Sequence, residues 1–139
     1  MHLQPAVARS LDLWHTMVSS QDLSRLPEIV RPDAVFRSPA ANTPYPSAKA
    51  VVMILNAALS TFQNFTYHRE LSSEDGLNVV LEFSARVGDK DLKGIDFIRF
   101  DEEGRIAEFE VMVRPLSGLQ ALGAAMAERV GVQLAAMKS

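Results

Sequence analysis

The chain has no cysteine, so disulfides, thiol nucleophiles and thiolate-bound metals are excluded. Histidine is scarce, and His2, His15 and His68 stand at no metal-ligand spacing. No run of lysine or arginine occurs, and the formal charge is −3. The basic patch of a nucleic-acid binder is therefore missing. Long apolar runs are missing too. The richest uncharged stretch, Ala50 to Tyr67, is broken by Asn56, Ser60, Thr61, Gln63 and Asn64 and will not span a membrane. The opening MHLQPAVARS lacks the basic-then-apolar pattern of a signal peptide. No repeat or low-complexity segment appears, and no motif calls for a cofactor or metal. The expectation is a cytoplasmic protein without nucleic-acid or membrane partners.

What the chain does have is enough apolar material for a core. Its 139 residues are 47% hydrophobic and 22% charged, which predicts one domain over 1–139. Leu3, Val7, Leu11, Trp14 and Val18 recur at helical spacing, predicting a helix from about Pro5 to Ser19. A shorter helix is expected to follow Gln21-Asp22 and to end near Val30, before Pro32. Ala34 to Ser38 reads as a short strand stopped by Pro39, and Asn42 to Pro46 as a loop. Ser47 can cap a helix reaching about Phe62. Strand-like runs then follow, joined by turns at Ser73-Glu74-Asp75-Gly76, Gly88-Asp89-Lys90 and Asp101-Glu102-Glu103-Gly104. Leu116, Leu119, Leu122, Met126 and Val130 make the stripe of a closing helix over about 116–137. The pattern is that of an α+β domain.

One residue breaks that pattern with a consequence for chemistry. Side chains alternate along a strand, so Leu92, Gly94, Asp96, Ile98 and Phe100 share a face on which Asp96 alone is polar. A carboxyl among apolar neighbours either finds a hydrogen-bond partner or stays protonated. Asp96 is therefore the candidate catalytic residue. What it faces depends on the last hairpin. A four-residue turn pairs Phe100 with Arg105 and sets Asp96 opposite Phe109, with Glu108 and Glu110 on the other face near Lys93 and Arg99. A three-residue turn with a bulge at Gly104 sets Asp96 opposite Glu110 instead. The first register separates apolar from charged residues more cleanly and is favoured. It surrounds Asp96 with Val79, Leu81, Phe83, Ile98, Phe109, Val111 and Val113. On the outer face, Ile95 and Phe97 leave an apolar patch for a homodimer packed sheet to sheet.

The phrases PDAVFRSP and IDFIRFDEEGRI, in this order of helices and strands, resemble the nuclear transport factor two-like superfamily. That group includes ketosteroid isomerases, SnoaL-like polyketide cyclases, scytalone dehydratases and limonene epoxide hydrolases. The resemblance implies a cone-shaped, curved antiparallel sheet wrapped by N-terminal helices, to which the C-terminal helix is extra. It also places Asp96 where ketosteroid isomerases carry an aspartic acid that an apolar site keeps neutral, so that it donates a hydrogen bond to a dienolate oxygen. The isomerase base falls on Ser38 and its helix tyrosine on Trp14. Neither residue can do that work unaided, so steroid isomerisation by that route is not expected.

Each candidate also has a plainer reading. Asp96 can be a structural acid bonded to Trp14 or to a backbone amide. Trp14 can be core filling, or can offer its N–H to a ligand. His15 sits off the helical stripe, at the surface or half-buried, and becomes a base near Asp96 only if it turns inward. Tyr67 alternates with Phe65 and can point its hydroxyl into a cavity, which leaves His68 on the other face. Phe36 and Ser38 belong to the same candidate pocket. Three functions stay open: an isomerase, cyclase or dehydratase acting on a small apolar carbonyl or hydroxyl compound; a non-catalytic binding module for such a compound; and a structural dimer whose interior is filled by Phe36, Phe83 and Phe109.

Overall fold

The computed structural model describes residues 1–137, and within the last helix it leaves the side chains of Val132, Leu134 and Met137 undescribed. Helix α1 (Pro5–Ser20) buries Val7, Leu11, Trp14 and Met17 on one side and stops where Gln21 turns left-handed at φ 56°. The helix expected from Gln21 to Val30 is not formed; only a 3-10 turn, Leu26–Ile29, is present. Pro27 explains the correction, because an α-helix through it would lose an amide donor and clash with the carbonyl four residues back.

Strand β1 (Val30–Arg37) starts four residues earlier than expected, and Pro32 falls in the stretch where its ladder is irregular. The segment read as a loop contributes a short strand, β2 (Tyr45–Pro46), which pairs with β1 at Val35 and Phe36. Ser47 caps α2 (Ala48–Thr61), its side chain accepting from the Ala50 amide. Four strands follow: β3 (Gln63–Ser72), β4 (Asn78–Val87), β5 (Lys90–Phe100) and β6 (Ile106–Arg114). Helix α3 (Leu116–Met137) closes the chain, with non-helical angles at Val130.

The six strands lie in the order β2-β1-β6-β5-β4-β3, antiparallel except for the pair β1 and β6. The pairing of β3 with β4 is irregular at two places, one beside Asn64, which takes φ 55°. Bulges of this kind bend a strand and increase its twist, which gives the α+β sheet its curve.

The last hairpin follows neither expected register. Asp96 pairs with Val111, Ile98 with Phe109 and Arg99 with Glu108. The Asp101 carboxylate accepts from the amides of Glu103 and Arg105, and the Asp101 amide donates to the Arg105 carbonyl. These bonds hold Arg105 in the turn, and an irregularity at Arg99/Phe100 moves the pairing two residues beyond the favoured register. A shift of two preserves the faces, so Phe109 and Val111 remain on the side of Asp96.

The same turn anchors α1. Gly104 has φ 80°, and a Cβ there would lie 2.4 Å from the Ala6 carbonyl oxygen. The Ser10 hydroxyl donates to the Gly104 carbonyl at 2.5 Å. This contact fixes the end of α1 on the sheet, and Trp14 lies one helical turn further along.

Candidate active site

Three side chains from three elements meet at one point. Asp96 of β5 is 5% exposed. Tyr67 reaches it from β3, across the intervening β4, and its hydroxyl donates to Asp96 Oδ2 at 2.5 Å. Trp14 of α1 donates its indole N–H to the Tyr67 oxygen at 2.9 Å. Among the described residues only Tyr67 hydrogen-bonds to Asp96. The structural-acid reading, with Trp14 or a backbone amide as direct partner, is corrected accordingly: Trp14 acts on Asp96 only through Tyr67.

Burial pushes the Asp96 carboxyl up from the ordinary carboxylate range to about 7, against the opposing pull of the Tyr67 hydroxyl. Burial, and then the adjacent Asp96 charge, push the Tyr67 phenol well above its usual value. Near neutrality Tyr67 is therefore a fixed donor, and Asp96 is the group that titrates.

Asp96 opens into a cavity of about 430 Å³. Trp14, Phe36, Ser38, Tyr67, Phe109 and Val111 line it as well, so the structure brings together seven of the eleven candidate positions. The other four lie elsewhere. Leu81, Phe83 and Ile98 are 0% exposed, and Val113 packs against the same core. Phe83 stacks on Phe65 at 4.9 Å and meets Phe62 at 5.6 Å. Those two rings line the cavity, and Phe83 sits behind them. Phe36 and Phe109, stacked at 6.0 Å, form a wall and do not fill the space.

Sequence reasoning missed the helical walls. Ile54, Leu55, Ala58 and Leu59 of α2 line the cavity, and so do Leu122 and Met126 of α3. The uncharged run through α2 and the α3 stripe carried that signal. Phe65, two residues before Tyr67 and so on its face, was legible by alternation. Tyr45 gave no signal from within its proline-flanked segment.

His15 is half-buried, as expected. Its Nε2 pairs with Glu70 Oε1 and its ring meets the Tyr67 ring edge-on at 5.2 Å. It does not line the cavity and is no base beside Asp96. His68 contacts Ser84 on the other face. The Ser38 hydroxyl accepts from the Ala40 amide at 3.0 Å. Among the described residues no three His, Asp or Glu side chains group as metal ligands, and no helix is long and apolar enough to cross a membrane.

On the outer face, Glu108 pairs with Arg99 at 2.8 Å and Arg37 at 3.3 Å, and Arg99 above all holds its carboxyl below the usual range. Lys93 pairs instead with Glu82, which is 7% exposed beneath Arg69 and Lys93.

The profile of the SnoaL-like domain family matches residues 10–109. The chain is similar to a steroid delta-isomerase from Pseudomonas aeruginosa, with 57% identity and a TM-score of 0.93 over 97% of this chain and 98% of that one. It is also similar to an uncharacterised bacterial protein with a cystatin-like fold from Silicibacter pomeroyi, at 28% identity and a TM-score of 0.82, covering 96% and 94%. An epoxide hydrolase/cyclase-like enzyme of pyran ring formation in the polyether salinomycin shares the fold at 14% identity and a TM-score of 0.65, over 80% and 92%. No curated protein matches the chain.

Proposed function

The chain belongs to the SnoaL-like domain family, and we propose that its cavity takes a small apolar carbonyl or hydroxyl compound on which Asp96 acts as acid or hydrogen-bond donor. One observation carries this reading. Asp96 is a buried carboxyl with a single hydrogen-bond partner among the described residues, facing an apolar cavity, with its titration raised to about 7. Tyr67 occupies Oδ2, so a proton on Oδ1 can be given to a ligand oxygen. A hydrogen bond aimed at an oxygen that gains negative charge strengthens as the charge develops. Isomerisation, cyclisation and dehydration are the reaction classes that need such a donor. The steroid delta-isomerase at 57% identity supports the first.

A non-catalytic binding module is the second reading. It is favoured by Ser38, which stands where the resemblance puts the isomerase base and whose oxygen accepts from the Ala40 amide.

The test is thermal shift with phenols, ketones and matched hydrocarbons, followed by proton NMR of the stabilising ketones in D2O. Ketones and phenols should stabilise the parent but not Asp96→Leu, which has no donor, and the ketone effect should fade above pH 7 as Asp96 loses its proton. Deuterium entering beside the carbonyl identifies an enzyme, and binding without exchange identifies the module. No oxygen-dependent stabilisation at all would overturn both.

The proposal extends to a cytoplasmic homodimer joined through the outer sheet face. There Ile95 pairs with Met112 and Val80 with Phe97, and Phe97 and Met112 are 38% and 45% exposed. Sedimentation velocity should find a dimer that Phe97→Asp dissociates. A monomeric parent refutes the idea.

A further inference from the structure

The bond between Tyr67 and Asp96 has a second support, built by an irregularity in β3. Residues three apart on a regular strand point to opposite faces. Tyr67 and Glu70 do not, because the pairing shifts between them: Tyr67 lies opposite Phe83 and Glu70 opposite Leu81. Phe83 and Leu81 are two apart on β4 and both are buried on its inner side. Three steps along β3 therefore match two along β4, and Glu70 is turned to the same face as Tyr67. A bulge that re-aims one side chain beside a candidate site is a feature to be explained.

His15 of α1 meets both residues. Its Nε2 is buried and pairs with Glu70 Oε1, and its ring stands edge-on to the Tyr67 ring at 5.2 Å and 83°. Phe65 stands edge-on to the Tyr67 ring as well, at 4.9 Å and 88°. Trp14, the residue before His15, holds the Tyr67 oxygen at 2.9 Å. Tyr67 is therefore fixed at its ring by His15 and Phe65, and at its hydroxyl by Trp14 and Asp96. The other charged groups near the pair face elsewhere. Asp12, one turn earlier on α1, is exposed, and Arg69 is turned to Glu82 on the outer face. On the inner side β4 presents Val79, Leu81 and Phe83, which do not titrate.

We propose that His15 and Glu70 are positioning residues for the acid at Asp96: His15 holds the Tyr67 ring, and the charge balance of the pair sets how strongly Tyr67 donates to Asp96. This rests on the reading of Asp96 given above and adds how that acid is tuned. Burial, then the Asp96 charge, and last the Glu70 charge push the Tyr67 phenol up. A phenol held further from ionisation is a weaker donor, since hydrogen bonds in a chain polarise one another. Glu70 therefore weakens the bond by which Tyr67 draws Asp96 down, and the His15 N–H offsets Glu70. Neither residue lines the cavity, so the pair acts from behind Tyr67.

The test follows the Asp96 carboxyl directly, by carbon NMR of the full chain labelled at its aspartate carboxyls and titrated from pH 3 to pH 9. Asp96 is assigned as the resonance that Asp96→Asn removes. Glu70→Gln takes away the charge and keeps the shape, so the Asp96 midpoint should fall by a few tenths of a pH unit. His15→Phe keeps a ring against Tyr67 and leaves Glu70 unopposed, so the midpoint should rise by a similar amount. His15→Leu takes its place if that variant does not fold. Added to Glu70→Gln, His15→Phe should move the midpoint no further, because no charge is left to offset. A pair that is merely structural will lower Tm and leave the midpoint where the parent has it. That result, a shift missing in either variant, or two shifts of the same sign overturns the proposal. The acid reading fails separately, if the parent midpoint lies in the ordinary carboxylate range; the displacements between parent and variants still judge the pair.

Discussion

At pH 8, Asp96→Asn should unfold at a higher temperature than the parent, and near pH 4 the two should unfold together. The sign follows from the proton count. The unfolded chain releases the Asp96 proton around 3.8 and the folded chain around 7, so between those values the folded state holds the extra proton. Stability from this group is complete below 3.8, declines as pH rises through that window, and stays low above it. A displacement from 3.8 to about 7 corresponds to about 4 kcal/mol. In a domain of this size that is on the order of 10 °C in Tm. Asparagine copies the neutral acid, keeps an oxygen for the Tyr67 hydroxyl and carries no charge to bury. Comparing parent and variant at each pH also cancels the opposite trend from Glu82 and Glu108. Their ion-paired carboxyls titrate below the usual range and lose their contribution as pH falls through it. Scanning calorimetry from pH 4 to pH 8 decides. A variant less stable than the parent at both ends would mean that the carboxyl itself holds the fold together. The acid reading would then be lost.

That expectation was partly legible before any coordinates, because alternation along β5 isolates Asp96 on an apolar face from spacing alone. The α1 stripe and the Ser47 cap were legible for the same reason, being local patterns a few residues long. The partner of Asp96 was not. Tyr67 lies 29 residues away, on a strand separated from β5 by β4, and no local pattern relates the two. The hairpin register escaped for a different reason. A short carboxylate side chain, Asp101, captured two backbone amides and lengthened the turn. The two-residue shift nevertheless kept the polar and apolar faces as read. Glu82 shows the limit of face assignment. Alternation with Leu81 and Phe83 puts it on the outer face, yet it is buried there because Arg69 and Lys93 close over it. The cavity depends on where α2 and α3 lie over the sheet, a tertiary arrangement that helical spacing does not encode.

Trp14 links the packing of α1 to the titration of Asp96, and two substitutions separate those roles. Trp14→Ala removes a ring that is 4% exposed and edge-on to Phe109 at 5.4 Å. The loss of a buried aromatic of this size is about 3–5 kcal/mol, so Tm should fall sharply. Trp14→Phe keeps most of that packing and deletes only the N–H donated to Tyr67, a change of about 1 kcal/mol. Its informative effect lies at Asp96. The indole bond draws the Tyr67 phenol toward lower pKa, and Tyr67 in turn draws Asp96 down. Without the first donor the second is weaker, since hydrogen bonds in a chain polarise one another. Asp96 should then titrate above 7, and the pH at which ketone-induced stabilisation fades should move upward in Trp14→Phe. Thermal shift with one ketone across pH 6 to 9 measures this directly. If Trp14 only fills space, the variant will lose a little stability and the pH midpoint will stay where it was.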